Sequence, residues 1–307
     1  MIGELNIDMI ATGLTEAPQM GGEILATDFQ LALGSASAIF ACGVAKLGHP
    51  VTFISQVGDD YFGKYCLAAL RAAGVSTKNV SVEAKLKTGV SVALSTRRDR
   101  ALVTHPGAIA TLRYEQLRLS RLRGQSHLHM TSYFLQHALR PSFAQIFRQV
   151  RRLGLTTSFD PNSDPARLWG DEIKEVLEQT DVLFLNESEA LQITRTRRVR
   201  SALKLLGRTV PCVVIKLGPK GSIAIKDDEI VSARGFKVEA LDTTGAGDSF
   251  AAGFVSAYLA GAPLTRCLQV GNACGALSTL KAGGTNGQPD IQGLKKFMRA
   301  QGAAART

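Results

Sequence analysis

From about residue 50 onward the chain alternates short β-rich apolar runs with stretches whose apolar positions recur every three to four residues. This is the pattern of parallel strands joined by crossover helices. Residues 51–57 read as a strand and 61–73 as a helix closed by Gly74, and a strand at 127–133, a helix around 140–153 and a strand at 155–159 continue the rhythm. Residues 181–185 and 212–217 are continuously apolar over a strand's length, which predicts strands covered on both faces. Three helices are expected to finish the chain, at 247–259, 264–280 and 291–301. The predicted frame is an α/β fold with a doubly wound, mostly parallel sheet flanked by helices.

Two stretches break the rhythm. Residues 23–33, and residues 88–95 with 100–104 after a polar turn, favour β residues without intervening helices and read as antiparallel strands. They predict a small β-sheet lid, approximately residues 9–33 and 87–106, inserted within a single domain spanning 1–307. The sequence has no internal repeat, and only the Gly/Ala-rich tail at 302–305 is expected to fray.

Composition narrows the class. With 307 residues, 45% hydrophobic and 20% charged, the chain can bury a substantial core. The opening segment carries Glu4 and Asp8 and lacks a basic-then-apolar leader, and the apolar stretch at 249–263 is too short to span a bilayer, so a cytoplasmic protein with no membrane partner is expected. Cys42, Cys66, Cys212, Cys267 and Cys274 form no CxxC pair, so reduced, buried thiols are expected. The formal charge of +10 is spread over scattered arginines with few interleaved aromatics, so it reads as a solvated surface that attracts anionic nucleotide rather than as a nucleic-acid interface.

The chemistry concentrates at Asp242-Thr243-Thr244-Gly245-Ala246-Gly247-Asp248-Ser249-Phe250. A β-type run at 236–241 enters it and a helix with Phe250, Phe254 and Tyr258 on one face leaves it. A glycine-rich turn opening a helix aims backbone N–H groups and the positive dipole end at one point, which suits a phosphoryl group gathering charge. The segment is no P-loop, because no Gly-Lys-Ser/Thr follows, and no dinucleotide fingerprint, because Phe250 stands at the third glycine. Asp248 in the first turn has two readings, a helix cap or a base that accepts a hydroxyl proton beside the anion hole. Its place directly after Gly245, Ala246 and Gly247 favours the base.

The nonapeptide resembles the C-terminal signature of the ribokinase-like, or PfkB, carbohydrate kinases. Gly3-Glu4-Leu5-Asn6-Ile7-Asp8, residues 34–48, Val57-Gly58-Asp59-Asp60 with Gly63, Asn186-Glu187-Ser188-Glu189 and Lys216-Leu217-Gly218-Pro219-Lys220-Gly221 resemble the family's other landmarks in order. The resemblance implies ATP and Mg²⁺, with Asp248 as base and the backbone of Gly245, Ala246 and Gly247 as anion hole. It further implies Asn6, Asp8, Gly34, Ser35, Asp160, Asn162 and Arg167 on the sugar side. Asn186, Glu189, Lys216, Gly218, Gly221, Asn272 and Gly275 would lie on the nucleotide side, with the Gly283-Gly284-Thr285 turn walling the adenine. Glu189 would meet Mg²⁺ through water, and Asp242 and Thr244 would flank a K⁺ ion. Local alternatives stand beside these roles: a polar helix start at 186–189, a plain turn at 218–221, helix packing at 272–275 and a surface salt bridge for Arg167.

The sequence also departs from the family pattern. Two adjacent glycines read Gly34-Ser35 here, and a sugar-bonding Asn reads Ile39, so ribose is disfavoured. Only Met1 and Ile2 precede Gly3, which implies either a start further upstream or a shortened central strand. The segment 160–169 resembles landmarks of fructokinases and 2-keto-3-deoxygluconate kinases, and Arg167, or one of Arg97, Arg98 and Arg100, could meet an acidic sugar. The expected function is ATP-dependent phosphorylation of a primary hydroxyl on a sugar, keto-sugar or sugar acid. The alternatives are an adenosine-type nucleoside kinase and a non-catalytic sugar sensor. A homodimer through the lid strands is expected from their exposed edges.

Overall fold

The computed structural model describes residues 1–96 and 100–302, with Arg100 described by its backbone alone; Arg97, Arg98 and residues 303–305 lie outside the described residues. In chain order the strands are β1 (Asn6–Leu14), β2 (Asp28–Leu33), β3 (Thr52–Gly58), β4 (Ser76–Glu83), β5 (Gly89–Thr96), β6 (Arg100–His105), β7 (His127–Thr131), β8 (Thr156–Asp160), β9 (Val182–Asn186), β10 (Cys212–Lys216), β11 (Ser222–Lys226) and β12 (Glu229–Ala233). The helices are α1 (Ala36–Lys46), α2 (Tyr61–Ala72), α3 (Phe143–Arg152), α4 (Ile173–Glu178), α5 (Glu187–Thr194), α6 (Val199–Leu206), α7 (Ala246–Leu259), α8 (Leu264–Ser278) and α9 (Ile291–Ala300).

The main sheet runs β12-β11-β10-β9-β8-β7, parallel from β7 to β10 and antiparallel at β11 and β12. The parallel pair β3-β4 joins it through the first residues of the chain: Ile2 N–H donates to the His129 carbonyl at 3.4 Å, and Ile54 N–H to the Met1 carbonyl at 2.9 Å. The central strand position is thus held by one short bridge, Ile2 to Ile54.

Side-chain alternation divides the interior. Leu183, Leu185, Val213 and Ile215 face a core built with α3, α4, α5 and α6. Val182, Phe184, Cys212 and Val214 face a second core built with α1, α2, α7 and α8. A strand covered on both faces is apolar on both, which is why 182–185 and 212–215 show no polar alternation before the strands reach the sheet edge at Asn186 and Lys216. Phe250, Phe254 and Tyr258 stack along α7 at 6.3 and 6.1 Å, and Phe254 meets Phe184 edge-on at 5.2 Å, fixing α7 against the sheet.

The second sheet has the order β2-β1-β5-β6. It corrects the expectation of purely antiparallel strands, because β1 pairs with β5 in parallel while β2 and β6 pair antiparallel at the edges. Residues 236–241, expected as a strand, are irregular instead. Their partner is a helix end: the amides of Leu241 and Asp242 both donate to the Thr279 carbonyl, and Phe236 packs on Phe297 of α9. All five cysteines are free and buried. Among the described residues no helix is long and apolar enough to cross a membrane.

Candidate active site

The strand order brings β10, β9 and β8 side by side, so their last residues, Lys216, Asn186 and Asp160, meet at the carboxyl edge of the sheet, where ligands of open α/β sheets bind. The start of α7 stands over this edge. Gly245 caps the helix with φ 69°, and a Cβ there would lie 2.9 Å from Ile39 and 3.0 Å from the Gly284 Cα. Both the left-handed backbone and the contact demand glycine.

Of the three amides expected to form an anion hole, Ala246 donates to the Thr243 carbonyl at 3.2 Å, whereas Gly245 and Gly247 have no acceptor among the described residues. Asp248 follows as the acidic residue of the helix's first turn. Burial first, then the Asp160 carboxylate, push the Asp248 carboxyl up to about 7 against the pull of the Lys216 ammonium, with Glu4 and Glu189 adding to the rise.

Lys216 Nζ donates to Asp160 Oδ2 at 2.5 Å, with the two side chains 14% and 1% exposed. Burial alone would lower the ammonium, but Asp160, Glu189 and Asp248 outweigh it and hold Lys216 above the ordinary lysine value. Asn186 and Glu189 form a capping box on α5, each side chain accepting the other's backbone N–H at 2.8 Å, and Ser163 Oγ donates to the second Glu189 oxygen at 3.0 Å. Burial, then Asp160, raise the Glu189 carboxyl, opposed by Lys216 and these hydrogen bonds.

Of the residues expected on the sugar side, Asn6, Asp8 and Gly34 meet one another. Asn6 Nδ2 donates to Asp8 Oδ1 at 3.0 Å, and a Cβ on Gly34 would lie 2.2 Å from that same oxygen. Ser35, at φ 70°, caps α1 by accepting the Ala38 amide at 2.9 Å. Asn162 Oδ1 accepts from the backbone N–H of Ser132 at 3.0 Å. Ile39 is buried against Gly245 and Gly284. Arg167 is exposed and forms none of the ion pairs found among the described residues.

A cavity of about 420 Å³ opens beside the α7 start, lined by Lys216, Gly218, Gly221, Gly247, Phe250 and Ala276 among others. Asn272 and Gly275 also line it, yet Asn272 Nδ2 braces the Ala233 and Arg234 carbonyls at 3.1 and 3.2 Å, and a Cβ on Gly275 would lie 3.1 Å from the Ala246 carbonyl. The Gly283-Gly284-Thr285 turn, expected against adenine, is absent from this lining; Gly284 faces Ile39 instead. Asp242 braces the same turn, accepting from the amides of Thr244 at 2.9 Å and Gly283 at 2.8 Å.

Glu4 escaped the sequence reading. It is 3% exposed and accepts from the Ser37 amide at 3.0 Å and from the hydroxyls of Ser37, Ser132 and Ser35 at 2.5, 2.9 and 3.2 Å. The available signal was an acidic residue directly beside Leu5, within the short run Met1-Ile2-Gly3-Glu4-Leu5.

The cavity, the open helix amides and the Asp248 carboxyl thus lie together at the carboxyl edge of a doubly wound sheet. Residues 1–291 match the pfkB family carbohydrate kinase, and the chain belongs to that family. It is a carbohydrate kinase, a phosphotransferase with an alcohol acceptor. It is 30% identical over 283 residues to an ATP-dependent ribose-1-phosphate kinase of Halopiger xanaduensis, covering 92% of this chain and 91% of that one. It is 29% identical to a 2-dehydro-3-deoxygluconokinase of Bacillus subtilis, covering 93% and 92%. Among solved structures, a protein described as ribokinase II from E. coli, in complex with ATP and Mg²⁺, superposes with a TM-score of 0.86 at 27% identity, covering 97% of this chain and 98% of that one.

Proposed function

We propose that this kinase transfers the terminal phosphoryl group of ATP to a hydroxyl of a sugar, keto-sugar or sugar acid, with Asp248 as base. The observation that carries the reading is the Asp248 carboxyl, pushed up to about 7 and lying one residue beyond the open Gly247 amide. A base poised near neutral pH accepts the hydroxyl proton as the new O–P bond forms and the bond to the departing ADP breaks. The open amides of Gly245 and Gly247 and the α7 dipole stabilise the charge gathered on the phosphoryl.

The cavity volume fits a nucleotide, and its apolar walls suit a base. Mg²⁺ keeps much of its hydration shell and is bound largely through substrate phosphates and water. Glu189, beside Asp160 and Lys216, would orient that water, and the ion would supply charge neutralisation. Both oxygens of Asp242 are engaged with backbone amides, so a K⁺ requirement rests on the resemblance, and the assay below is run with and without K⁺.

The sugar side carries Asn6, Asp8, Gly34, Ser35 and Asn162, with Arg167 free to meet a carboxylate or phosphate. Phe29 pairs with Ala11 and so lies on the sheet face opposite Asp8, which disfavours a base-stacking nucleoside acceptor. On that face Met9 and Leu31 pack against the protein's own second core, while Phe29 and Val103 are 60% and 63% exposed, and it is this exposed pair that supports a lid-to-lid homodimer. ADP release measured over fructose, 2-dehydro-3-deoxygluconate, ribose, ribose 1-phosphate and adenosine tests the reading. Turnover of at least one of the sugars is expected. Turnover of adenosine alone would make this a nucleoside kinase, and sugar binding without turnover would make it a sensor.

A further inference from the structure

We propose that Lys216 is a catalytic cation parked on Asp160, whose ammonium passes to the transferring phosphoryl group when nucleotide binds. The inference deepens the kinase reading and rests on it. Lys216 Nζ donates to Asp160 Oδ2 at 2.5 Å. An ammonium has three N–H donors, and the other two have no acceptor among the described residues. They belong to a side chain only 14% exposed, so these donors are largely shut off from bulk water.

The ammonium also stands where charge would develop. A Cβ added to Gly247 would lie 3.1 Å from Nζ, so the ammonium sits against the backbone whose free amide opens the anion hole. Lys216 lines the cavity as well. Around it stand the carboxylates of Asp160, Glu189 and Asp248. A single ammonium facing three carboxylates cannot balance them all, and a bound phosphate would be repelled unless that ammonium turned toward it. Asp160, 1% exposed and lying one strand beyond Asn186, holds the ammonium in place until then. Glycine at 247 leaves the space the ammonium needs.

In the transfer step the acceptor O–H gives its proton to Asp248, the O–P bond forms, and the bond from phosphorus to the bridging oxygen breaks with its electron pair leaving on ADP. Lys216 stays protonated throughout. It exchanges one hydrogen-bond acceptor for another and neutralises the phosphoryl oxygens.

The test compares the affinity of ADP with that of the β,γ-imido analogue of ATP by calorimetry, in wild type, Lys216→Arg and the double variant Lys216→Met/Asp160→Asn. The double change removes both charges of the buried pair rather than stranding one of them, and a thermal scan of each variant checks that it is folded. Loss of one charge-assisted hydrogen bond should weaken the analogue about 10- to 100-fold. ADP, which lacks the terminal phosphoryl, should change less than about threefold on the same grounds, and Lys216→Arg should recover part of the difference. The turnover number with the sugar found above should fall about 100-fold in the double variant. Equal losses for ADP and the analogue, or none, overturn the inference while leaving the kinase reading intact. A wild-type protein that binds neither nucleotide overturns both.

Discussion

Asp248→Asn separates the catalytic role of this side chain from its effect on stability, because the two respond in opposite directions. The substitution keeps shape and removes the proton acceptor, so turnover should fall by about two to four powers of ten. The native carboxyl is raised from the ordinary aspartate value of 3.8 to about 7 by burial and the neighbouring Asp160, with Glu4 and Glu189 adding and Lys216 opposing. A raised carboxyl favours the neutral form in the native state. Its contribution to stability is therefore fully present below the unfolded value of 3.8 and is lost as pH rises through about 7. About three powers of ten in proton affinity correspond to at most about 4 kcal/mol, since each tenfold is about 1.4 kcal/mol. Asparagine does not ionise, so at pH 8 the variant should be the more stable protein. At about 2 °C per kcal/mol the melting temperature should rise by several degrees, and the gain should vanish near pH 4. Wild-type turnover should climb with an apparent pKa near 7, and calorimetric scans alongside steady-state rates from pH 4 to 9 check both curves. A variant that keeps turnover within tenfold of wild type, or that melts lower at pH 8, refutes the assignment of Asp248 as a strained base.

Gly247→Ala places a methyl 3.1 Å from Lys216 Nζ within a helix that alanine otherwise favours by about 1 kcal/mol. Catalytic efficiency should fall at least tenfold while melting temperature holds or rises, as read by kinetics and a thermal scan. For the lid face, Phe29, 60% exposed, is changed to Glu. Light scattering at micromolar concentration should give a dimer mass for wild type and a monomer mass for Phe29→Glu, and a monomeric wild type would dismiss that interface.

The sheet was legible because burial on both faces erases polar alternation, as at 182–185 and 213–215. The α7 start was legible because Gly245 is required twice over, by its φ of 69° and by the contact with Ile39. Partner choice was not legible. Whether β1 pairs with β5 in parallel depends on where two distant segments leave the main sheet, and no local period records that. Residues 236–241 have strand composition but meet a helix end. The Asn-x-x-Glu pattern at 186–189 is ambiguous in principle, since a capping box and a metal-orienting pair use the same two side chains at the same spacing. The structure shows the capping box formed while Glu189 still faces Asp160 and Lys216, so one arrangement can serve both ends.

Glu4 lies within the opening Gly3-to-Asp8 landmark, yet its part in the site comes from contacts that the landmark does not record. Burying a carboxylate without a cation costs several kcal/mol unless hydrogen bonds replace the lost water. Here they do, and the donors come from separate stretches of chain: Ser35 and Ser37 at the start of α1, and Ser132 just past β7. The Ser132 amide in turn donates to Asn162 beyond β8. Ser35 holds φ 70° next to Gly34, which touches Asn6 and Asp8. The relative placement of the sugar-side groups therefore passes through one buried charge. That charge also adds to the raised proton affinity of Asp248. If Asp248 is the base and Asn6, Asp8 and Asn162 meet the acceptor, as proposed above, the same carboxylate ties acceptor positioning to base strength through contacts between distant stretches of chain.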